Sequence, residues 1–265
     1  MIFTYDETIK LAYETAGIGS RHLIMFHGFG LTKEIFDPWM NHLEKVYTVY
    51  VIDLFHHGES QRVNGQLTKK QWVAIFDAFL NHLNINTFSL LGFSLGGRFA
   101  ICSALEFDQR CDELILVAPD GIYKSPWFRL ATSQVLKWCF WYLMTHPNQM
   151  HRLIVFLIRI RLISKYIGDF VERELGKPEN RARVYHAWND FKPLGYARAE
   201  LRRKFKAADF KKVLILGKKD IVIPPGKIRP ILVDCGFDIK ELNKKHHQLI
   251  APETAVLVSA TQGSS

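Results

Sequence analysis

The chain is poor in cysteine, with Cys102, Cys111, Cys139 and Cys235 scattered through 265 residues. No Cys-x-x-Cys occurs, and no Cys/His pair has zinc spacing, which argues against a disulfide framework and a structural zinc site. The expectation is four reduced thiols in a cytoplasmic protein. The segment Met1-Ile2-Phe3-Thr4-Tyr5-Asp6-Glu7 lacks the basic-then-apolar pattern of a signal peptide. No stretch reaches the roughly 18 uninterrupted apolar residues of a transmembrane helix. Trp138–Met144 is too short, and Arg159 and Arg161 interrupt Leu153–Ile163. Internal repeats are absent, and low complexity is confined to the polar tail Thr261–Ser265.

What is present is an ordinary globular balance, 48% hydrophobic and 23% charged, which excludes a disordered chain. A chain of this length buries about 70–75% of its unfolded surface without help from metals or disulfides. The 19 Phe and 6 Trp suggest an aromatic-lined interior or pocket. The net charge of +9 is unevenly placed. Residues 121–206 hold 17 Lys+Arg against 6 Asp+Glu, and the remainder holds 18 against 20, so one segment carries +11 and the rest −2. No RNP-like, zinc-finger or helix-turn-helix signature accompanies that charge, so no nucleic-acid partner is expected. A basic, aromatic segment is a candidate for peripheral contact with anionic lipid.

Short apolar runs alternate with helical patterns. Strands are expected at Leu23–Phe26, Thr48–Asp53, Thr87–Leu91, Glu113–Ala118, Val213–Gly217 and Asp238–Leu242. Helical patterns fall at Ile35–Lys45, Lys69–Leu83 with Thr68 as N-cap, Leu95–Leu105, Lys227–Cys235 and Thr254–Ala260. Strands alternating with helices predict an α/β fold with a mainly parallel sheet, which binds ligands at the carboxyl ends of its strands. Strand signals stop between the fourth and fifth strands, where Phe128–Thr145 and Met150–Arg173 read as helical. An insert of helices after a strand end is read as a cap.

Gly92-Phe93-Ser94-Leu95-Gly96-Gly97 follows an expected strand and opens an expected helix, the context that gives G-x-S-x-G its meaning. The sharp turn presents the Ser94 hydroxyl, and the Leu95 N–H at the helix start can point at an oxyanion. A serine hydroxyl needs a histidine to remove its proton and a carboxylate to orient that histidine.

These residues resemble the α/β-hydrolase superfamily, and the resemblance covers nearly the whole chain. His27-Gly28-Phe29-Gly30 is similar to the family's oxyanion loop, which implies the Phe29 N–H as second donor beside Leu95. Asp53-Leu54-Phe55-His56-His57-Gly58-Glu59-Ser60 is similar to the D-x-x-G-x-G-x-S turn, with His56-His57 in place of small residues. The family places its acid where Asp220 stands and its histidine at His246-His247, in the order Ser, Asp, His. Asp120, after an earlier strand, is the alternative acid. For the base, His247 is favoured: it lies five residues past Leu242, and His246 occupies a position where the family often has glycine. His246 remains the alternative.

The resemblance implies an α/β-hydrolase core of residues 1–120 and 207–265 with a helical cap, 121–206, and no cofactor. A serine nucleophile disfavours the dehalogenase and epoxide-hydrolase branches, which attack with Asp. The implied activity is a carboxylesterase-like cleavage of an ester, thioester or related acyl bond in a small molecule, through an acyl-enzyme on Ser94. The alternatives are carbon–carbon hydrolysis of ring-opened aromatic dienoates and a non-catalytic ligand-binding protein of this fold. Arg98, four residues past Ser94, is a candidate for a substrate carboxylate or for a structural ion pair. Trp127, Trp138, Trp141 and Trp188 are candidates for an acyl pocket or for packing within the insert. His27 is expected to hold the oxyanion loop. His56-His57 has no third ligand nearby, and the remaining histidines are single, so no metal site is expected.

Overall fold

The structure, a computed structural model, describes residues 1–63, 65–123, 132–133, 136–163, 165, 168, 171–172 and 175–260. The elements in chain order are β1 (Ile2–Thr4), β2 (Lys10–Ala16), β3 (Arg21–Phe26), α1 (Asp37–Leu43), β4 (Tyr47–Ile52), α2 (Lys69–His82), β5 (Phe88–Phe93), α3 (Gly96–Glu106) and β6 (Cys111–Val117). They continue as α4 (Lys137–Thr145), α5 (Pro147–Arg159), α6 (Pro178–Asp190), α7 (Arg198–Ala207), β7 (Lys211–Gly217), α8 (Pro225–Leu232), β8 (Phe237–Leu242) and α9 (Pro252–Ala260). Short 3-10 turns occupy Lys33–Phe36 and His246–Ile250.

The eight strands form one sheet in the order β1-β2-β4-β3-β5-β6-β7-β8. The pairs from β4 to β8 are parallel, while β1–β2 and β2–β4 are antiparallel. The period-2 alternation of each strand feeds two apolar layers. On one face Leu23, Met25, Val49 and Val51 pack with Trp39 and Leu43 of α1 and Ala255 and Val258 of α9. On the other, Phe26 meets Trp72 and Phe76 of α2 and Phe99 of α3, at ring separations of 5.9–6.1 Å. Helix α2 begins as the sequence predicts: Thr68 Oγ1 accepts the Gln71 N–H, and Gln71 Oε1 accepts the Thr68 N–H, a capping box.

Two features differ from the sequence expectation. The hairpin β1–β2 was not expected, because Ile2-Phe3-Thr4 is too short to read alone and Leu11, Ala12 and Tyr13 are buried consecutively rather than alternately. Its turn is closed by Asp6 Oδ1, which accepts the N–H groups of Thr8 (2.7 Å) and Ile9 (2.8 Å). The second difference concerns the insert.

The chain separates into two compact units: Met1–Val63, Leu67–Tyr123 and Pro193–Ser265 in one, Asn64–Gln66 and Lys124–Lys192 in the other. The second unit is therefore shorter at both ends than residues 121–206. Helix α7 belongs to the sheet-bearing unit because Leu201 and Phe205 are buried there and Phe205 packs on Phe237 of β8, 5.0 Å between ring centroids. Within the second unit, α4 packs against α5 and α6. Arg181 of α6 donates to the carbonyls of Met144, Leu175 and Gly176 at 2.8–3.0 Å. All four cysteines are free thiols, and three are buried. Among the described residues, no helix is long and apolar enough to cross a membrane.

Candidate active site

The winding of the sheet determines where a ligand can enter. The chain passes from β3 outward to β4, then crosses back over β3 to β5. The loops after β3 and β5 therefore leave neighbouring strands in opposite directions, which opens a crevice at their carboxyl ends. His27-Gly28-Phe29 follows β3, and Ser94 follows β5.

Ser94 has φ 49°, a left-handed conformation that costs a residue with a side chain about 1–3 kcal/mol. Three hydrogen bonds hold it there. Its N–H donates to Val117 O (3.0 Å), and its carbonyl accepts from the N–H groups of Gly97 (2.9 Å) and Asp120 (2.8 Å). Glycine is required on both sides of the turn: a Cβ on Gly92 would sit 2.6 Å from Gly97 Cα, and one on Gly96 would run into the Phe26 carbonyl.

A hydrogen-bonded chain leads away from Ser94. His246 Nε2 lies 3.0 Å from Ser94 Oγ, and His246 Nδ1 lies 2.7 Å from Asp220 Oδ2. Asp220 is buried, and its Oδ1 accepts the N–H groups of Val222 (2.8 Å) and Ile223 (2.9 Å). An ionised carboxylate only accepts, so Nδ1 carries the ring proton and Nε2 is left as an acceptor facing the Ser94 hydroxyl.

This arrangement corrects the expectation for the histidine. His247 is exposed, and His246 occupies the place between Ser94 and Asp220. The loop after β8 coils at once into a 3-10 turn that begins at His246, and Leu249 and Ile250 of that turn are buried and tie it to the core. Counting from Leu242 could not register that turn. Of the two carboxylates, Asp220 meets the histidine. Asp120 is instead bound to Arg98, whose Nη2 lies 2.6 Å from Asp120 Oδ2. Arg98 is 3% exposed, and its guanidinium is engaged in this internal ion pair.

The loop after β3 is held from two sides. The buried His27 accepts the Leu54 N–H at Nε2 (2.9 Å) and donates from Nδ1 to Gly28 O (2.8 Å). Burial lowers its pKa to about 4. Asp53 Oδ1 accepts the Lys33 N–H (2.8 Å), and Asp53 Oδ2 accepts the Glu59 N–H (3.0 Å). The Phe29 and His27 rings each lie 5.4 Å from that of the buried His57. His56 has φ 66°, which explains why glycine suits this point of the turn. Gly28 lets the loop lie against the elbow, since a Cβ there would be 3.2 Å from Ser94 Cβ. The clamp of Asp53 on Lys33 was missed in the sequence, although the turn motif beginning at Asp53 marked the residue.

The aromatic candidates of the insert have different fates. Trp138 is 68% exposed and faces solvent. Trp188 is half-buried and stacks on Phe140 at 5.6 Å, a contact within the second unit. Trp127 lies outside the described residues. A shallow cleft lined by Asp108, Gln109, Cys111 and Phe210 sits at the amino ends of β6 and β7, the end of the sheet opposite Ser94. Among the described residues, no group of three His, Cys, Asp or Glu is placed to hold a metal ion.

Residues 21–235 match the family model described as alpha/beta hydrolase fold. In sequence, the chain is 34% identical over 116 residues to a pimeloyl-[acyl-carrier protein] methyl ester esterase of Shewanella woodyi, covering 44% of this chain and 42% of that one. The chain spans less than half the length of these curated relatives, from 32% to 45%, for example 36% of an uncharacterised Mycobacterium tuberculosis protein. In structure, it superposes on a thermophilic esterase from Thermogutta terrifontis with TM-score 0.70 and 19% identity, over 96% of this chain and 92% of that one. It also superposes on a meta-cleavage product hydrolase from Pseudomonas fluorescens IP01 with TM-score 0.63 and 18% identity, over 95% and 93%. Those two likenesses are of fold. With the family model spanning most of the sequence and the sheet, elbow and crevice in place, the chain belongs to the alpha/beta hydrolase fold family.

Proposed function

We propose that this chain is a serine hydrolase that cleaves an ester, thioester or related acyl bond of a small molecule through an acyl-enzyme on Ser94. The observation that carries the reading is the continuous relay Ser94 Oγ–His246 Nε2 at 3.0 Å and His246 Nδ1–Asp220 Oδ2 at 2.7 Å. In this reading Ser94 Oγ attacks the substrate carbonyl as its proton passes to His246 Nε2. Asp220 keeps the imidazole in the required tautomer and stabilises the imidazolium. The N–H groups of Phe29 and Leu95 receive the oxyanion; Leu95 N–H also starts α3, where the helix field favours negative charge. Collapse of the tetrahedral species returns the proton from Nε2 to the leaving group. Water, deprotonated by His246, then releases the acid and restores Ser94.

The esterase name borne by a sequence relative supports ester chemistry over the other acyl bonds. Two assays test the reading. A fluorophosphonate probe should label the protein, and Ser94→Ala should abolish labelling and turnover. p-Nitrophenyl esters of graded chain length should be hydrolysed in preference to a ring-opened dienoate. Labelling that survives Ser94→Ala would place the nucleophile elsewhere. Turnover of the dienoate alone would replace the ester reading with carbon–carbon cleavage, and no labelling or turnover would favour a binding role.

A further inference from the structure

We propose that the second unit docks on an anionic lipid surface through the outward faces of α4 and α5. This rests on residues of the second unit alone and does not depend on the hydrolase reading. Helix α4 has an inner side and an outer side. Its inner side carries the buried Met144 and the half-buried Phe140, which packs on Tyr185 and Trp188. Its outer side, at i, i+3 and i+4, carries Trp138, Trp141 and Tyr142, which are 68%, 53% and 41% exposed. The same duplication occurs on α5. Met150 and Ile154 are buried, whereas Leu153, Phe156 and, just past the helix, Ile160 form an exposed stripe at i, i+3 and i+7.

A helix that is apolar on both faces needs a second apolar environment, because its inner face alone already secures it to its neighbours. Large apolar side chains exposed side by side on a soluble unit mark an interaction surface. Tryptophan and tyrosine together suit the boundary between water and acyl chains, where a ring with one polar atom is at ease.

Charge decides which partner the surface fits. Residues 121–168 contain seven Lys+Arg and no Asp or Glu. On α5, Arg152 and Arg159 border the stripe on its flank, one and three positions from Leu153 and Phe156, and Arg161 follows; all three are exposed. Among the described residues, Glu172 lies 2.6 Å from His151, away from the stripe. A second copy of the chain would bring the same positive charges face to face. A surface of anionic headgroups neutralises them, while the acyl layer below takes up Phe156, Leu153 and the α4 indoles.

The experiment is co-sedimentation of the full chain with vesicles of phosphatidylcholine, with and without phosphatidylglycerol. Binding is expected only to the anionic vesicles, and it should weaken steeply with added salt. Leu153→Ser/Phe156→Ser/Ile160→Ser should lower the bound fraction at least about tenfold, because each removes burial in the acyl layer. Arg152→Gln/Arg159→Gln should lower affinity by about fivefold per arginine. Tryptophan emission should shift to the blue on binding. The altered side chains are exposed, so the melting temperature and the far-ultraviolet circular dichroism spectrum should match the parent and confirm folding. Equal binding to neutral vesicles, no binding to either kind, or full binding by the triple serine variant would overturn the proposal. A dimer in sedimentation velocity that the triple variant abolishes, with vesicles ignored, would assign the face to a second copy instead.

Discussion

The guanidinium of Arg98 closes on the carboxylate of Asp120 at 2.6 Å, and the backbone N–H of the same Asp120 donates to Ser94 O at 2.8 Å. One aspartate thus joins the end of β6 to both the first turn of α3 and the serine of the elbow. Arg98 is 3% exposed and Asp120 26%, so the two partners are unequally dependent on each other. Asp120→Ala removes one carboxylate partner from a buried cation and should cost about 2–3 kcal/mol. Arg98→Met keeps the packing and leaves a carboxylate that water can reach, for a smaller loss of about 1–2 kcal/mol. Urea unfolding of both variants measures the difference, and equal losses would mean that the pair is not what stabilises this corner.

The relay predicts a sharp contrast between adjacent histidines. His246→Ala should lower kcat by about three orders of magnitude or more, since the base and its orienting bond are removed together. His247→Ala should change kcat less than about threefold, because its side chain is exposed and outside the relay. Asp220→Asn should fall near the loss of His246→Ala, as an amide cannot hold Nδ1–H in the working tautomer. Steady-state kinetics on one ester decides the matter, and a dead His247→Ala with an active His246→Ala would reverse the assignment.

Stability should depend on His27 in mildly acidic solution. The folded pKa of about 4 lies below the ordinary value of 6.5, because burial penalises the charged ring. The unfolded chain therefore takes up a proton first as pH falls. The full contribution is present above about pH 6.5 and is lost progressively toward pH 4, for a total of about 3 kcal/mol. Urea unfolding between pH 7.5 and 4.5 should show this decline, and His27→Asn should flatten it. An unchanged slope in the variant would transfer the effect to other groups.

Gly28 should prove intolerant of a methyl group. A Cβ there stands 3.1 Å from the Phe93 ring and 3.2 Å from Ser94 Cβ, so Gly28→Ala must push the loop off the elbow by a few tenths of an ångström. Small displacements at a reacting centre are costly, and a fall in kcat of about tenfold to a hundredfold is expected with KM little altered. Retention of full kcat would show that the Phe29 loop does not act at the serine.

Much of the fold was legible because its signals are contiguous. Thr68 and Gln71 form their capping box from residues three apart, and Gly92, Ser94 and Gly96 build the elbow between a strand and a helix that both announce themselves. The hairpin β1–β2 was not legible, since three residues become a strand only when Phe3 pairs with Leu11. Nor was the place of α7. Its polar residues read like those of the insert, but Leu201 and Phe205 bury into the sheet-bearing unit.

By itself the sequence determined the strand–turn–helix succession, the serine of the elbow and a carboxylate and histidine in the expected order. These depend on backbone preference and spacing, which neighbouring residues encode. Only the tertiary structure decided which histidine faces Ser94 and which carboxylate is free to meet it. The turn carrying His246 is anchored from 211 positions away, where Trp39 Nε1 donates to Ile250 O at 2.7 Å, and Leu249 seals into the same core. Asp120 is withdrawn from the relay by an arginine that lies 22 residues earlier in the chain. Side-chain direction on a loop follows from contacts with distant segments, and those contacts exist only once the sheet has brought its strand ends together.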